Sequence, residues 1–315
     1  MSNNIKTVVY IIERLSENNI TDLEILYKAV YSKALPVNYF HNKYDTAFTT
    51  VQYTGYIAYD NQLPVAFYGV IPCFIRFNDK TILAAQSADT MTHPLHRNKG
   101  LFIELAKRTF ELCREYNIQL LFGFPNQNSI YGFINKLGWT THERMDCFII
   151  RAGTFSWQRI LRKLSFLHSW YKNYHRHQLK KYLLPQKGIN NSVFTDNYAG
   201  LLRDADYLNY KKYATTHVIK LGSSVLWIKI NNELLIGDIS VLPKDFAKMI
   251  YKLKKLTRKL GIKEIHFHVS PNTTLHALFA DRFKAIPSFP LIFKQLNGNM
   301  DTGQIKFTSA DIDTF

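Results

Sequence analysis

Thr92-His93-Pro94-Leu95-His96-Arg97-Asn98-Lys99-Gly100-Leu101-Phe102 joins an apolar, strand-like run (Thr81 to Thr92) to a helical pattern (Gly100 to Tyr116). The first turn of a helix presents backbone N–H groups without intrahelical partners, at the positive end of the helix dipole. Pyrophosphate suits such a place without special side chains. Gly100 lets backbone approach a ligand closely, and Arg97 and Lys99 place positive charge beside it. A basic loop with one glycine before a helix is common, so the flanking sequence has to supply the specificity.

Upstream, Thr21-Asp22-Leu23-Glu24 has the form of a capping box. Leu23, Leu26, Tyr27, Val30 and Tyr31 follow at helical spacing, with Pro36 past the end. Strands are expected at 53–59, 65–77 and 81–92, with turns at Asp60-Asn61 and Asn78-Asp79-Lys80, which favours an antiparallel meander. Downstream, Asn117 can close the helix in a left-handed conformation. Ile118 to Phe124 is apolar throughout, as a central strand covered on both faces would be. Pro125, a polar loop, a short helix to Lys136, Gly138-Trp139 and a strand through Cys147 to Ile150 complete this part.

The strand before the loop, Arg97 and Gly100 within it, and the helix after it resemble the acyl-CoA signature of GNAT acetyltransferases: Arg or Gln, two residues, Gly, one residue, Gly or Ala. Phe102 departs at the last position. Asn126-Gln127-Asn128 and Lys136-Leu137-Gly138-Trp139 resemble the later family motif, and the match covers about residues 50 to 150. The resemblance implies an α/β fold with a mixed, splayed central sheet and helices on both faces. It implies acetyl-CoA or another acyl-CoA as co-substrate, held by Met91, Thr92, Arg97, Asn98, Lys99, Gly100, Leu101, Phe102 and Asn128. Pantetheine would lie between strands 84–92 and 118–124, and a backbone N–H near Met91 and Thr92 could stabilise the thioester oxyanion. The implied reaction is direct attack of an amine on the acyl thioester, with an acid for the thiolate and a base for the amine.

Family members place the acid, a tyrosine, where this chain has Ile134; Tyr131, one turn earlier, is the candidate here. Its structural alternative is packing beside Phe133. Asp89, an acid in an otherwise apolar or small strand, is a candidate base or a hydrogen-bonded structural residue. His93 could face the acceptor or shape the turn with Pro94, and Glu104 is where dipole complementarity alone expects an acid. The related tandem-GNAT acetyltransferases known for enhanced intracellular survival use a terminal carboxylate as base, which makes Phe315 a third candidate.

The later sequence repeats the order of the first part. A hairpin (225–230, 234–242), a helix from Pro243 to Gly261, a strand at 265–269, Ser270-Pro271-Asn272, a helix, and strands at 291–296 and 304–307 are expected. Pro125-Asn126 is matched by Pro271-Asn272, so two GNAT-like halves are expected. The expected domains are a cofactor-binding domain (1–150), a basic linker (151–190) and a degenerate second domain (191–315) without a glycine loop.

The 315 residues carry a formal charge of +16, are 46% apolar and contain three widely spaced cysteines. This suits a cytoplasmic protein with reduced thiols and a sizeable core, either free or peripheral to the membrane. Nine Lys or Arg and no acid fall between Asp146 and Asp196. Trp157, Ile160, Leu161, Leu164, Leu167 and Tyr171 would form one helical face there, with the basic side either merely solvated or facing an anionic carrier or membrane surface. Nucleic acid is a minor reading of the charge. His168, His175 and His177 lack the neighbours of a metal site, and none is expected. The acceptor class read from this is a primary amine of a small molecule, amino sugar or glycan precursor. The rivals are a tandem-GNAT peptidyltransferase fed by aminoacyl-tRNA and a non-catalytic GNAT-like binding module.

Overall fold

The computed structural model describes residues 9–77, 80–153 and 167–315. They divide into two compact units, each discontinuous in sequence, where the expected boundaries were continuous. The first comprises Met1–Phe74, Ile82–Thr141 and Ile292–Met300, and the second Ile75–Thr81, His142–Leu291 and Asp301–Phe315. Of the helix expected with an apolar face from Trp157 to Tyr171, residues Trp157, Ile160, Leu161 and Leu164 and the basic Arg159, Arg162 and Lys163 lie outside the described residues.

In the first unit β1 (Ile11–Arg14), β2 (Gly55–Asp60), β3 (Leu63–Phe77), β4 (Lys80–Thr92) and β5 (Leu120–Gly123) are neighbours in that order. The meander is present, but its first turn is Asn61-Gln62, one residue later than expected, and both residues have positive φ (48° and 69°). That handedness matches the twist of the flanking strands. α1 (Asp22–Tyr31) and α2 (Tyr39–Tyr44) precede β2, α3 (Leu101–Glu115) links β4 to β5, and α4 (Ile130–Leu137) follows. Thr21 makes no capping bond through its side chain; Asp22 instead accepts from Tyr59 Oη at 2.7 Å. Asn117 closes α3 with φ 56°, and Gly138 closes α4 with φ 65°. Leu101, Leu105 and Phe110 of α3 share a core with Phe133 and Leu137 of α4 and Val65, Tyr68, Ala85 and Leu121 of the sheet. Residues 292–295 complete this unit, antiparallel to β5 from Ile292↔Gly123 to Gln295↔Leu120.

The second unit holds β6 (Thr140–Arg151) from His142 onward, α5 (Leu167–Lys180), β7 (Gly200–Leu201), α6 (Ala205–Tyr210), β8 (His217–Leu221), β9 (Ser224–Ile230), β10 (Leu234–Ser240), α7 (Phe246–Lys259), β11 (Glu264–Val269), α8 (Thr274–Ala280) and the start of β12 (Ala285–Gln295). Its strand order is β6-β11-β10-β9-β8, with β10 and β11 parallel over Leu234–Ile236 and Ile265–Phe267. The expected strand at 304–307 is a short turn of helix (Thr302–Gln304) followed by single bridges, Ala199↔Ile305 and Val269↔Thr308. Residues 307–311 run beside β11 and β10. Ser270 N donates to Phe307 O (2.9 Å), His268 N to Ser309 Oγ (2.9 Å), and Arg203 joins Asp238 of β10 to Asp311 (2.8 Å to the latter).

Candidate functional site

β4 and β5 are parallel and paired over only three residues, Ala84↔Leu120 to Gln86↔Phe122. Three residues further along β4, Asp89 has φ 49°, a left-handed residue inside a strand. A cavity of about 850 Å³ lies here, lined by Thr90 and Thr92 of β4, the loop and first turn of α3, and Asn126, Asn128 and Ser129 after β5. Tyr131, Gly132 and Lys136 of α4 and Val30 and Tyr31 of α1 close the remaining walls.

The loop before α3 has the turn and the left-handed glycine that its sequence suggests. Pro94–His96 make one tight turn, whose cap is His93 Nδ1 accepting from Leu95 N at 3.3 Å. His93 therefore shapes the turn. Its neighbour His96 anchors the loop to the sheet edge: Tyr10 Oη and His96 Nδ1 are 3.0 Å apart, and Asp60 Oδ2 is 3.9 Å from Nε2. Burial, then Lys99, lowers the His96 pKa, so its imidazole is neutral at neutral pH. Asn98 (φ 61°) and Gly100 (φ 80°) are both left-handed, and Gly100 caps α3 without any side-chain bond to the first turn. A Cβ at Gly100 would meet nothing within 4 Å. The glycine is thus demanded by backbone conformation and leaves open space against free N–H groups. Arg97, Lys99 and Lys136 are the cations of the lining, and it contains no carboxylate. This donor set fits a pyrophosphate.

Phe102, the departure from the motif, leaves the loop intact. Its ring turns over Gly132, where a Cβ would stand 2.6 Å from Phe102 Cε1, and packs edge-on to Phe133 at 5.3 Å. The small residue has moved from α3 to α4. Asn126 Oδ1 accepts from Asn128 N (2.9 Å) and Ser129 N (3.2 Å), which starts α4 and leaves exposed Asn128 facing the cavity.

The remaining candidates separate. Tyr131 is 63% exposed and lines the cavity, while Phe133 packs with Tyr68, Phe102 and Trp139. Met91 is 2% exposed and does not line it; Thr90 and Thr92, on the opposite strand face, do. Asp89 is not a bare carboxylate: Lys43 Nζ, fully buried, is 2.6 Å from Oδ2 and Tyr44 Oη 3.1 Å. Glu104 pairs with Arg108 at 2.7 Å on an exposed face. Phe315 is in the second unit, its buried ring edge-on to Trp227 at 5.2 Å, and is not in the cavity lining. Tyr31 and Thr90 also line the cavity, with Lys136 of the later motif. Tyr31 counted only as an apolar position of α1, yet burial and then Asp89 raise its phenol pKa, against Arg97 and Lys43.

Residues 12–141 match the family model of the acetyltransferase (GNAT) domain. Among solved structures, the chain is similar to a GCN5-related N-acetyltransferase from Kribbella flavida at 11% identity and a TM-score of 0.56, over 91% of this chain and 72% of that one. It is likewise similar to a GCN5-related N-acetyltransferase from Anabaena variabilis, at 12% identity and a TM-score of 0.56, over 92% and 73%. At such identities the likeness is one of fold. No curated protein matches the sequence.

Proposed function

We propose, from the premise that residues 12–141 are a GNAT acetyltransferase domain and the chain an acyl-CoA-dependent N-acyltransferase, that its one working site is the cavity between β4 and β5. The observation that carries this is the coincidence of three features: strands paired over only three residues, a left-handed residue at Asp89, and an open, cation-lined helix start at Gly100. Arg97, Lys99, Lys136 and the N–H groups opening α3 hold the pyrophosphate, and the backbone of 90–92 with Asn128 borders the pantetheine arm. When bound, acyl-CoA supplies an activated acyl thioester. A primary amine attacks its carbonyl carbon, the C–N bond forms as the C–S bond breaks, and the amine proton passes to solvent. Tyr131 Oη gives its proton to the departing sulfur. Asp89, shared by Lys43 and Tyr44, is structural and does not take the proton. The acceptor is an amine of the amino-sugar or glycan-precursor class, for which Tyr31, half-exposed in the α1 wall, offers an aromatic face.

The second unit has the same parallel pair, β10 and β11, but residues 307–311 lie along both strands. We assign it no cofactor. It is a degenerate GNAT-like half that completes the protein rather than a second catalyst.

The test is thiol release from acetyl-CoA across a panel of amines, with acetyl-CoA raising the melting temperature. Tyr131→Phe is expected to lower kcat by about 100-fold or more with little change in KM for acetyl-CoA. No release from any amine despite cofactor binding would point to a binding module. Thermal protection by tRNA and not by acetyl-CoA would point to the peptidyltransferase reading.

A further inference from the structure

α7 divides cleanly along its length. Its sequence, FAKMIYKLKKLTRK, carries six Lys or Arg and no acid. Phe246, Met249, Ile250, Leu253 and Leu256 are buried in the core of the second unit. Lys248, Lys255, Arg258 and Lys259 are exposed on the other side, with Lys252 and Lys254 half-buried at its flanks. Lys248, Lys252, Lys255 and Lys259 follow the four-three-four spacing of one helical stripe, a row about 16 Å long. Among the described residues, the ion-paired acids of this unit have partners outside this helix: Asp238 and Asp311 with Arg203, Glu143 with Lys306, Glu264 with Lys263 and His266, Asp146 with His276, and Asp281 with Arg282.

A second basic helix is tied to the end of the first. Tyr174 Oη donates to Lys259 O and His175 Nε2 bonds to Leu260 O, both at 2.8 Å. The segment so held carries the exposed Arg176, Lys180 and Lys181. Two large apolar side chains stand out among these cations. Tyr251, between Lys248 and Lys255 on the stripe, is 68% exposed, and Leu242, just before the helix, is 57% exposed.

We infer that the outer face of α7, extended by Arg176, Lys180 and Lys181, is a docking surface for an anionic phospholipid membrane. Five of the six α7 cations are lysines, compact point charges suited to a diffuse negative surface; arginine's planar fork suits individual phosphates of a nucleic acid. A tyrosine with a polar tip and an exposed leucine gain further from the headgroup–acyl boundary. This inference stands on the charge of the second unit and is independent of the acyl-transfer reading.

The full chain should cosediment with vesicles of phosphatidylcholine mixed with phosphatidylglycerol and not with pure phosphatidylcholine vesicles, and added salt should release it. Replacing Lys248, Lys252, Lys255 and Lys259 together by Gln should lower partitioning more than about 100-fold, at roughly fivefold per lysine. The same four positions changed to Arg should retain binding, which separates lost charge from lost folding. Thiol release from acetyl-CoA should persist in both variants. Equal partitioning to neutral vesicles, or unchanged binding after the four Lys→Gln changes, overturns the inference. So does binding to a random RNA in preference to the anionic vesicles, which would make the face a nucleic-acid surface.

Discussion

Asp89 sits in β4 in a left-handed conformation, and its carboxylate is shared between Lys43 Nζ and Tyr44 Oη. Because Lys43 is fully buried, removing Asp89 takes the carboxylate 2.6 Å away from a charge that water does not reach. Asp89→Ala is therefore expected to cost about 3–5 kcal/mol in urea unfolding. A free catalytic base would instead lower kcat and leave stability unchanged. That Asp89 is unusual was visible from its apolar surroundings in the strand. Its partner was not, because nothing in the sequence around Lys43 marks that lysine as buried. His268 gives a second test. Burial, then His266, lowers its pKa to about 4, with Nδ1 2.8 Å from Ser288 Oγ. Between about pH 6.5 and 4 the unfolded chain binds a proton that the folded chain refuses, so stability falls as pH falls through this window. The loss approaches about 3 kcal/mol by pH 4. His268→Asn should flatten that part of the curve when urea midpoints are compared across the window.

The contact between α3 and α4 rests on one exchange of size. Gly132→Ala would drive a Cβ to 2.6 Å from Phe102 Cε1, at an expected cost of about 1–3 kcal/mol. In a Phe102→Ala background the same change should cost much less, and a double-mutant cycle of thermal unfolding measures the difference. Elements of this kind were largely legible in the sequence. The helix from Gly100 to Tyr116, the left-handed stops at Asn117 and Gly138 and the apolar strand at 120–123 follow local periodicity and turn chemistry. What local pattern could not supply was phase and tertiary partner. Of the expected pair Met91 and Thr92, the strand alternation leaves Met91 buried and brings Thr92, with Thr90, to the cavity wall. Tyr31 looked like another apolar position of α1, because only the fold brings that helix to the cavity. Residues 304–307 alternate like a strand yet make single bridges, since their partners are scattered along Ala199 and Val269.

At the scale of the whole molecule, the two units use a parallel strand pair for different ends. In the first, β4 and β5 pair over only three residues and a cavity opens past them beside Thr90 and Thr92; in the second, Arg203, Asp238 and Asp311 pin a chain segment beside β10 and β11. Calorimetric titration with CoA should therefore give one site per chain. Gly100→Ala should weaken binding, since a side chain at φ 80° strains the loop and enters its open space. Two sites of similar affinity would contradict the assignment of the second unit.

The return of residues 292–300 to the first unit imposes an order on biosynthesis. Until Ile292 to Gln295 arrive, β5 has one bare edge, with unpaired backbone groups of the kind that recruit foreign strands. At about 5–20 residues per second, a ribosome needs roughly 10–30 s to travel from residue 141 to residue 300. Throughout that interval the first unit is a nascent chain with an exposed strand edge. A fragment ending near residue 150 would carry that edge permanently and should aggregate.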